Sequence, residues 1–226
     1  MALRESERAV SALGLYHVAA TTIPEVTSYC ALLGRENDEE TVHLEVEGGR
    51  IVKESHQSYG GRILNFHLSD EEVSKNKSSY GFNNVSELLA LERRSNFQEA
   101  LLDAILLYSR STREKDLAGR LVYLFSAIES ILLRNNTETI QQNVGERMAF
   151  IVANTMEKRR AVIRNLKAVY GLRSRFVHHG HTIDELDTLR TFMLDAWVLF
   201  LELAKSSHRF ETKDQFIDHL EAMKLA

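Results

Sequence analysis

Between Tyr170 and His181 the chain reads YGLRSRFVHHGH, which places three histidines and two arginines within nine residues. Arginine brings a permanent charge and a planar fork that matches two phosphate oxygens. Histidine, with an ordinary pKa of ~6.5, takes up and releases a proton near neutral pH. Together they supply what RNA transesterification needs. One group activates the 2′-hydroxyl or protonates the leaving 5′-oxygen, and a cation stabilises the extra charge of the phosphorane. No metal is required for that route. The histidines also present an H-x-H spacing that suits metal ligation. Against it, no second cluster with ligand spacing accompanies them, and the surrounding cations repel a dication. The expectation is a site without metal or other cofactor.

This segment closes a basic run. From Glu157 to His181 the chain carries Lys158, Arg159, Arg160, Arg164, Lys167, Arg173 and Arg175 against Glu157 alone, a local charge of +6 before any histidine is protonated. The whole chain has 28 basic and 32 acidic residues, net −4, so the remainder sums to −10. Mild overall acidity argues against a nucleic-acid partner, but a phosphate backbone meets the local patch rather than the average. Arg164, Lys167, Tyr170, Arg175 and His181 are accordingly the candidate RNA-binding residues.

Other catalytic signatures are missing. The sequence has no GxGxxG, no GxxxxGK[ST] and no GxSxG, so neither a glycine cradle for nucleotide phosphates nor a nucleophile elbow is expected. Cys30, in YCALLG, has apolar neighbours that suit a buried structural thiol better than a nucleophile. The acidic clusters Asp38-Glu39-Glu40 and Asp70-Glu71-Glu72 read as solvated turns and helix starts.

The basic segment must be positioned by helices. Pro24 is the one proline, where a chain of 226 residues averages roughly 11. Proline ends helices, so the 202 residues beyond it favour long, uninterrupted ones. Five apolar stripes at helical spacing follow residue 84: Leu101 to Leu106, Leu121 to Leu132, Val144 to Val152, Val162 to Tyr170 and Leu186 to Leu201. Capping boxes are expected at Ser111–Glu114, Thr182–Glu185 and Thr212–Gln215. These features predict a mainly α fold, an antiparallel helical bundle over residues 83–226. Residues 1–82 form a small mixed α/β region in this reading. There TVHLEVE and RIVKES flank Gly48-Gly49 as a β-hairpin, RILNFHL is a further strand, and Ser69 to Glu72 caps a short helix. A single cysteine excludes an intrachain disulfide and makes a reducing, cytoplasmic setting the default. Apolar runs reach six residues, short of the ~20 a membrane helix needs, and MALRESERAV lacks a signal peptide's apolar core. No membrane is therefore expected among the partners.

Two separated motifs carry a resemblance to a known family. Arg173-x₄-His178, preceded by Tyr170 and followed by His179-Gly180, resembles the R-x₄₋₆-H motif of HEPN ribonucleases. Upstream, Ala127-Ile128-Glu129-Ser130-Ile131-Leu132 is similar to the "ALE-x-LL" helix of the Apea-like branch, whose second motif runs "Y-x-x-RS-x-x-VH-x-G". The similarity spans residues 95–206, about half the chain. It implies a HEPN-like bundle that forms a homodimer with the motifs facing across the two-fold axis. It also implies metal-independent endoribonuclease activity that leaves a 2′,3′-cyclic phosphate, in toxin modules or phage defence, and admits an antitoxin or other regulatory protein as partner. By this resemblance Arg173 holds the scissile phosphate, His178 is the general acid or base, and Ser174 is the polar residue after the arginine. Glu129 either orients Arg173 by an ion pair or is a plain helix-surface glutamate. Many members of the family are inactive and serve as dimerisation or binding modules; in a purely structural role Arg173 caps carbonyls or pairs with an acid, and the histidines end a helix where cations are favoured.

Helix geometry constrains the site. Residues five apart on a straight helix lie about 140° around the axis, so Arg173 and His178 point apart, whereas Ser174 with His178 and Arg175 with His179 share a side. A working Arg173–His178 pair then needs a helix break near Gly180, an arginine that reaches round, or the motif of a second subunit. The same geometry keeps His179 as a competitor for the catalytic role, paired with Arg175.

Overall fold

The computed structural model describes residues 2–27, 40–48, 50–58, 70–135, 137–179 and 185–225. In chain order the elements are α1 (Ala2–Leu13), α2 (Val18–Thr22), β1 (Glu40–Glu47), β2 (Arg50–Ser58), α3 (Asp70–Ser79), α4 (Phe82–Ala90), α5 (Asn96–Arg113), α6 (Leu117–Leu132), α7 (Ile140–Val152), α8 (Met156–His179), α9 (Leu186–Ser206) and α10 (Lys213–Leu225). The fold is a mainly α helical bundle, as the apolar stripes predict. Each of the five stripes falls within one helix, α5 through α9, and Leu101, Phe125, Ile128, Val144, Met148, Leu166, Val169 and Phe200 are fully buried. Among the described residues no helix is long and apolar enough to cross a membrane.

The expected hairpin is present. β1 pairs with β2 antiparallel, from Glu40 opposite Ser58 to Glu47 opposite Arg50, with a register shift at Glu45/Val46. Gly48 takes φ +57° in the turn, a left-handed backbone that costs glycine nothing. α3 begins at Asp70, where the sequence predicts a short helix, while the predicted strand at 62–68, the cap at Ser69 and Cys30 lie outside the described residues.

Helix termini differ from the predicted caps. Ser111 lies inside α5, and its hydroxyl donates back to the Tyr108 carbonyl at 2.6 Å, so it caps nothing. The capping box of α5 is Ser95 with Gln98, and α6 is capped by Asp116, which accepts from the Gly119 amide at 2.8 Å. Glu185 is itself the residue before α9 rather than the third residue of a box, and Thr182 lies outside the described residues. Thr212 does cap α10, its hydroxyl accepting from the Gln215 amide at 3.2 Å.

Residues 2–27 share the core of the helices that follow. Leu15 and Tyr16 are buried, and the Trp197 indole of α9 donates to the Leu15 carbonyl at 2.7 Å. Arg8, its side chain 1% exposed, reaches Glu99 at 2.6 Å and Asp103 at 2.8 Å on α5, and so is buried only with its charge paired. Arg120 of α6 is equally enclosed. Its guanidinium donates to the carbonyls of Pro24 at 2.8 Å, Val26 at 2.7 Å and Ala20, which ties the segment after α2 to the bundle. The glycine-rich, alternating character of residues 48–81 gives no sign of these contacts.

Candidate active site on helices α6 and α8

α8 runs without interruption through His179. Its inward residues Val162, Leu166 and Val169 are buried. At 100° per residue, spacings of four, three and four place Arg173 on that same side. Arg173 is therefore an inner residue of α8, facing α6, with 30% of its side chain exposed. The opposite side of the helix carries Arg160, Arg164, Lys167, Gly171, Ser174 and, by backbone position, His178.

Opposite Arg173 stands Glu129 of α6. Arg173 Nη1 lies 3.9 Å from Glu129 Oε1, and its Cζ sits 5.7 Å from the centroid of the Phe125 ring. The Tyr170 hydroxyl donates to the same Glu129 oxygen. Tyr170 is 8% exposed and its ring packs at 4.1 Å on Phe125, which in turn stacks on Phe192 of α9 at 4.9 Å. Burial, reinforced by the adjacent carboxylate, pushes the Tyr170 phenol well above its usual range, so it stays protonated and acts as a fixed donor. The two motifs separated by some 40 residues thus meet through three side chains, one turn-spaced pair on α8 and one carboxylate on α6.

This geometry leaves the arginine unspent. At 3.9 Å the Glu129 contact is electrostatic rather than a close bidentate pair, and Arg173 Nε is buried without a hydrogen-bond partner among the described residues. A guanidinium held this loosely can turn an edge to a phosphate without first breaking a strong bond. Glu129, bonded by the Tyr170 hydroxyl, stands opposite the Arg173 guanidinium. Tyr170 sits in the packed interior with its hydroxyl engaged, a place that makes it a positioning group for Glu129.

The remaining candidates divide by location. Ser174 and Arg175 are exposed, and Arg175 pairs with Glu185, the residue before α9, at 3.0 Å, both side chains more than half exposed, where such a pair adds little stability. Arg164 and Lys167 are exposed and bond to no other described residue. His178 and His179 occupy the last turn of α8. His178 is one turn beyond Ser174 and about 140° round from Arg173, with no helix break between them. The side chains of His178 and His179, and all of His181, lie outside the described residues. Among the described residues no three His, Cys, Asp or Glu side chains group as a metal site.

Sequence reasoning misses Phe125 and Phe192, which form the floor beneath Tyr170 and Arg173. Their helical spacing marks them only as core. The one signal in the sequence is the extension of the 162–166–169 stripe to position 173, an arginine where an apolar residue is due. Comparison with family models, curated proteins and solved structures finds no match to this chain.

Proposed function

We propose that the protein is a metal-independent endoribonuclease that works as a homodimer. The observation that carries this reading is the convergence of Glu129, Tyr170 and Arg173 from two distant motifs, with the arginine poised but not saturated. In the reaction, a base takes the proton of a 2′-hydroxyl as that oxygen attacks the adjacent phosphorus. The P–O5′ bond then breaks and an acid returns a proton to the leaving oxygen, giving a 2′,3′-cyclic phosphate and a 5′-hydroxyl. Arg173 stabilises the added charge of the phosphorane, and His178, with His179 as its competitor, moves the proton. Because Arg173 and His178 diverge along one unbroken helix, the site is shared: Arg173 of one subunit works with His178 of the other. Such an enzyme acts in the cytoplasm, and unrestrained expression arrests growth, so a regulatory protein such as an antitoxin is its expected counterpart.

The test is cleavage of single-stranded RNA by purified protein in EDTA. Activity is expected to persist with the chelator and to fall by at least ~100-fold in both Arg173→Ala and His178→Ala. Cleavage that survives both changes, or that stops on chelation, overturns the reading. The same divergence of Arg173 and position 178 favours a second reading, a module that dimerises or binds RNA without cutting it, which predicts RNA binding with no cleavage under any of these conditions.

A further inference from the structure

The outward side of α8 has a composition that nothing inside the chain explains. Arg160, Arg164 and Lys167 are exposed and make no hydrogen bond or ion pair with another described residue. They follow one another at spacings of four and three, and Gly171 comes next in the same line. A glycine in a helix interior is less favourable than alanine, because it gives up more chain entropy and packs nothing. Gly119 has a neighbour that accounts for it, since a Cβ there would stand 3.0 Å from the Glu114 side chain, whereas one at Gly145 would make ordinary contact with Leu166 and Ile163 at 3.8 and 3.9 Å. At Gly171 a Cβ would meet no described atom within 4 Å. The space beside Gly171 is open.

We infer that the line Arg160–Arg164–Lys167–Gly171 is a track for the backbone of single-stranded RNA, which approaches the bare helix at Gly171. The inference rests on the RNA reading of α8 and adds where the strand lies. The line is about 17 Å long at 1.5 Å per residue and leads toward the His178 end of the helix. Charge selects the occupant. A second copy laid along the same line would set three cations against three, whereas a phosphodiester chain meets each of them with an anion.

Binding is measured by fluorescence anisotropy with an oligoribonucleotide whose 2′-hydroxyls are methylated, so that transesterification cannot consume it. For single strands the logarithm of affinity falls with the logarithm of salt by about 0.7 per phosphate neutralised. The combined Arg160→Ala, Arg164→Ala and Lys167→Ala variant should therefore lose about two from that slope. A control that removes Arg93, Arg110 and Arg209, exposed away from α8, should leave the slope unchanged. Gly171→Ala should raise the melting temperature and lower affinity roughly tenfold, opposite signs that a purely structural glycine does not produce. An equal slope change in both triple variants, or Gly171→Ala binding as wild type, overturns the track. Absence of oligonucleotide binding at low salt also overturns it and leaves the line to an acidic protein. Cleavage of unmodified RNA is scored separately: binding as described without cleavage supports the track while removing the nuclease reading, and cleavage with an unaltered slope in the triple variant does the reverse.

Discussion

Arg173 shares its side of α8 with three core residues, and that company sets what it can do. The guanidinium carbon lies 5.7 Å from the centroid of the Phe125 ring, Nη1 stands 3.9 Å from Glu129, and less than a third of the side chain meets solvent. A charge so placed is kept near the site by packing while its hydrogen-bonding edge stays open to a ligand. Asp195 on α9 shows the opposite case. Burial pushes its carboxyl up to about 6, from an ordinary value near 3.8. A raised folded-state pKa contributes stability that is complete below the ordinary value and is lost as pH rises through about 6. Asp195→Asn should therefore stabilise the protein at about pH 8 by about 2 kcal/mol and bring no gain at about pH 3.5, as read from chemical unfolding at the two pH values.

At the level of elements, α6, α7 and α10 are joined by one paired arginine. Arg147 of α7, its side chain 3% exposed, donates to Glu138 at 2.7 and 2.8 Å, to Glu221 of α10 at 2.8 Å and to the Leu132 carbonyl that ends α6 at 2.7 Å. The Arg147 guanidinium holds the Glu138 carboxyl down at about 2. Its stabilising effect is thus present above the ordinary glutamate value and fades as pH falls toward about 2. Glu138→Ala should cost about 2–3 kcal/mol at neutral pH, because Arg147 is left buried with half its partners, and the penalty should shrink in acid. The helices themselves are legible in the sequence, since α5 to α9 announce themselves by apolar spacing. Their ends are not. Ser111 precedes a glutamate at the right interval for a capping box, but its hydroxyl serves its own helix, and only the tertiary setting separates that use from a cap. Arg120 and Arg147 are also illegible, because a buried arginine is recognised by the carbonyls and acids that surround it and not by its neighbours in sequence.

For the whole molecule, the segregated charge acquires a place. The +6 segment is α8 with its two unlike sides, an inner one that delivers Arg173 to Glu129 and an outer one whose cations Arg160, Arg164 and Lys167 pair with no described residue. Part of the candidate site is legible in the amino-acid sequence: the motifs single out Glu129 and Arg173 but leave Glu129 open between an ion-pair partner and a plain surface glutamate, and the 3.9 Å contact, the aromatic floor and the place of Tyr170 depend on packing. The unbroken course of α8 supports the central proposal that catalysis requires two subunits, since Arg173 and His178 diverge on one chain. Co-expression of Arg173→Ala with His178→Ala tests it most directly. Each mixed dimer of a shared site retains one intact pairing of two, so random assembly should restore about a quarter of wild-type RNA cleavage from two inactive parents. Mixed dimers as inactive as either parent would contradict the shared site.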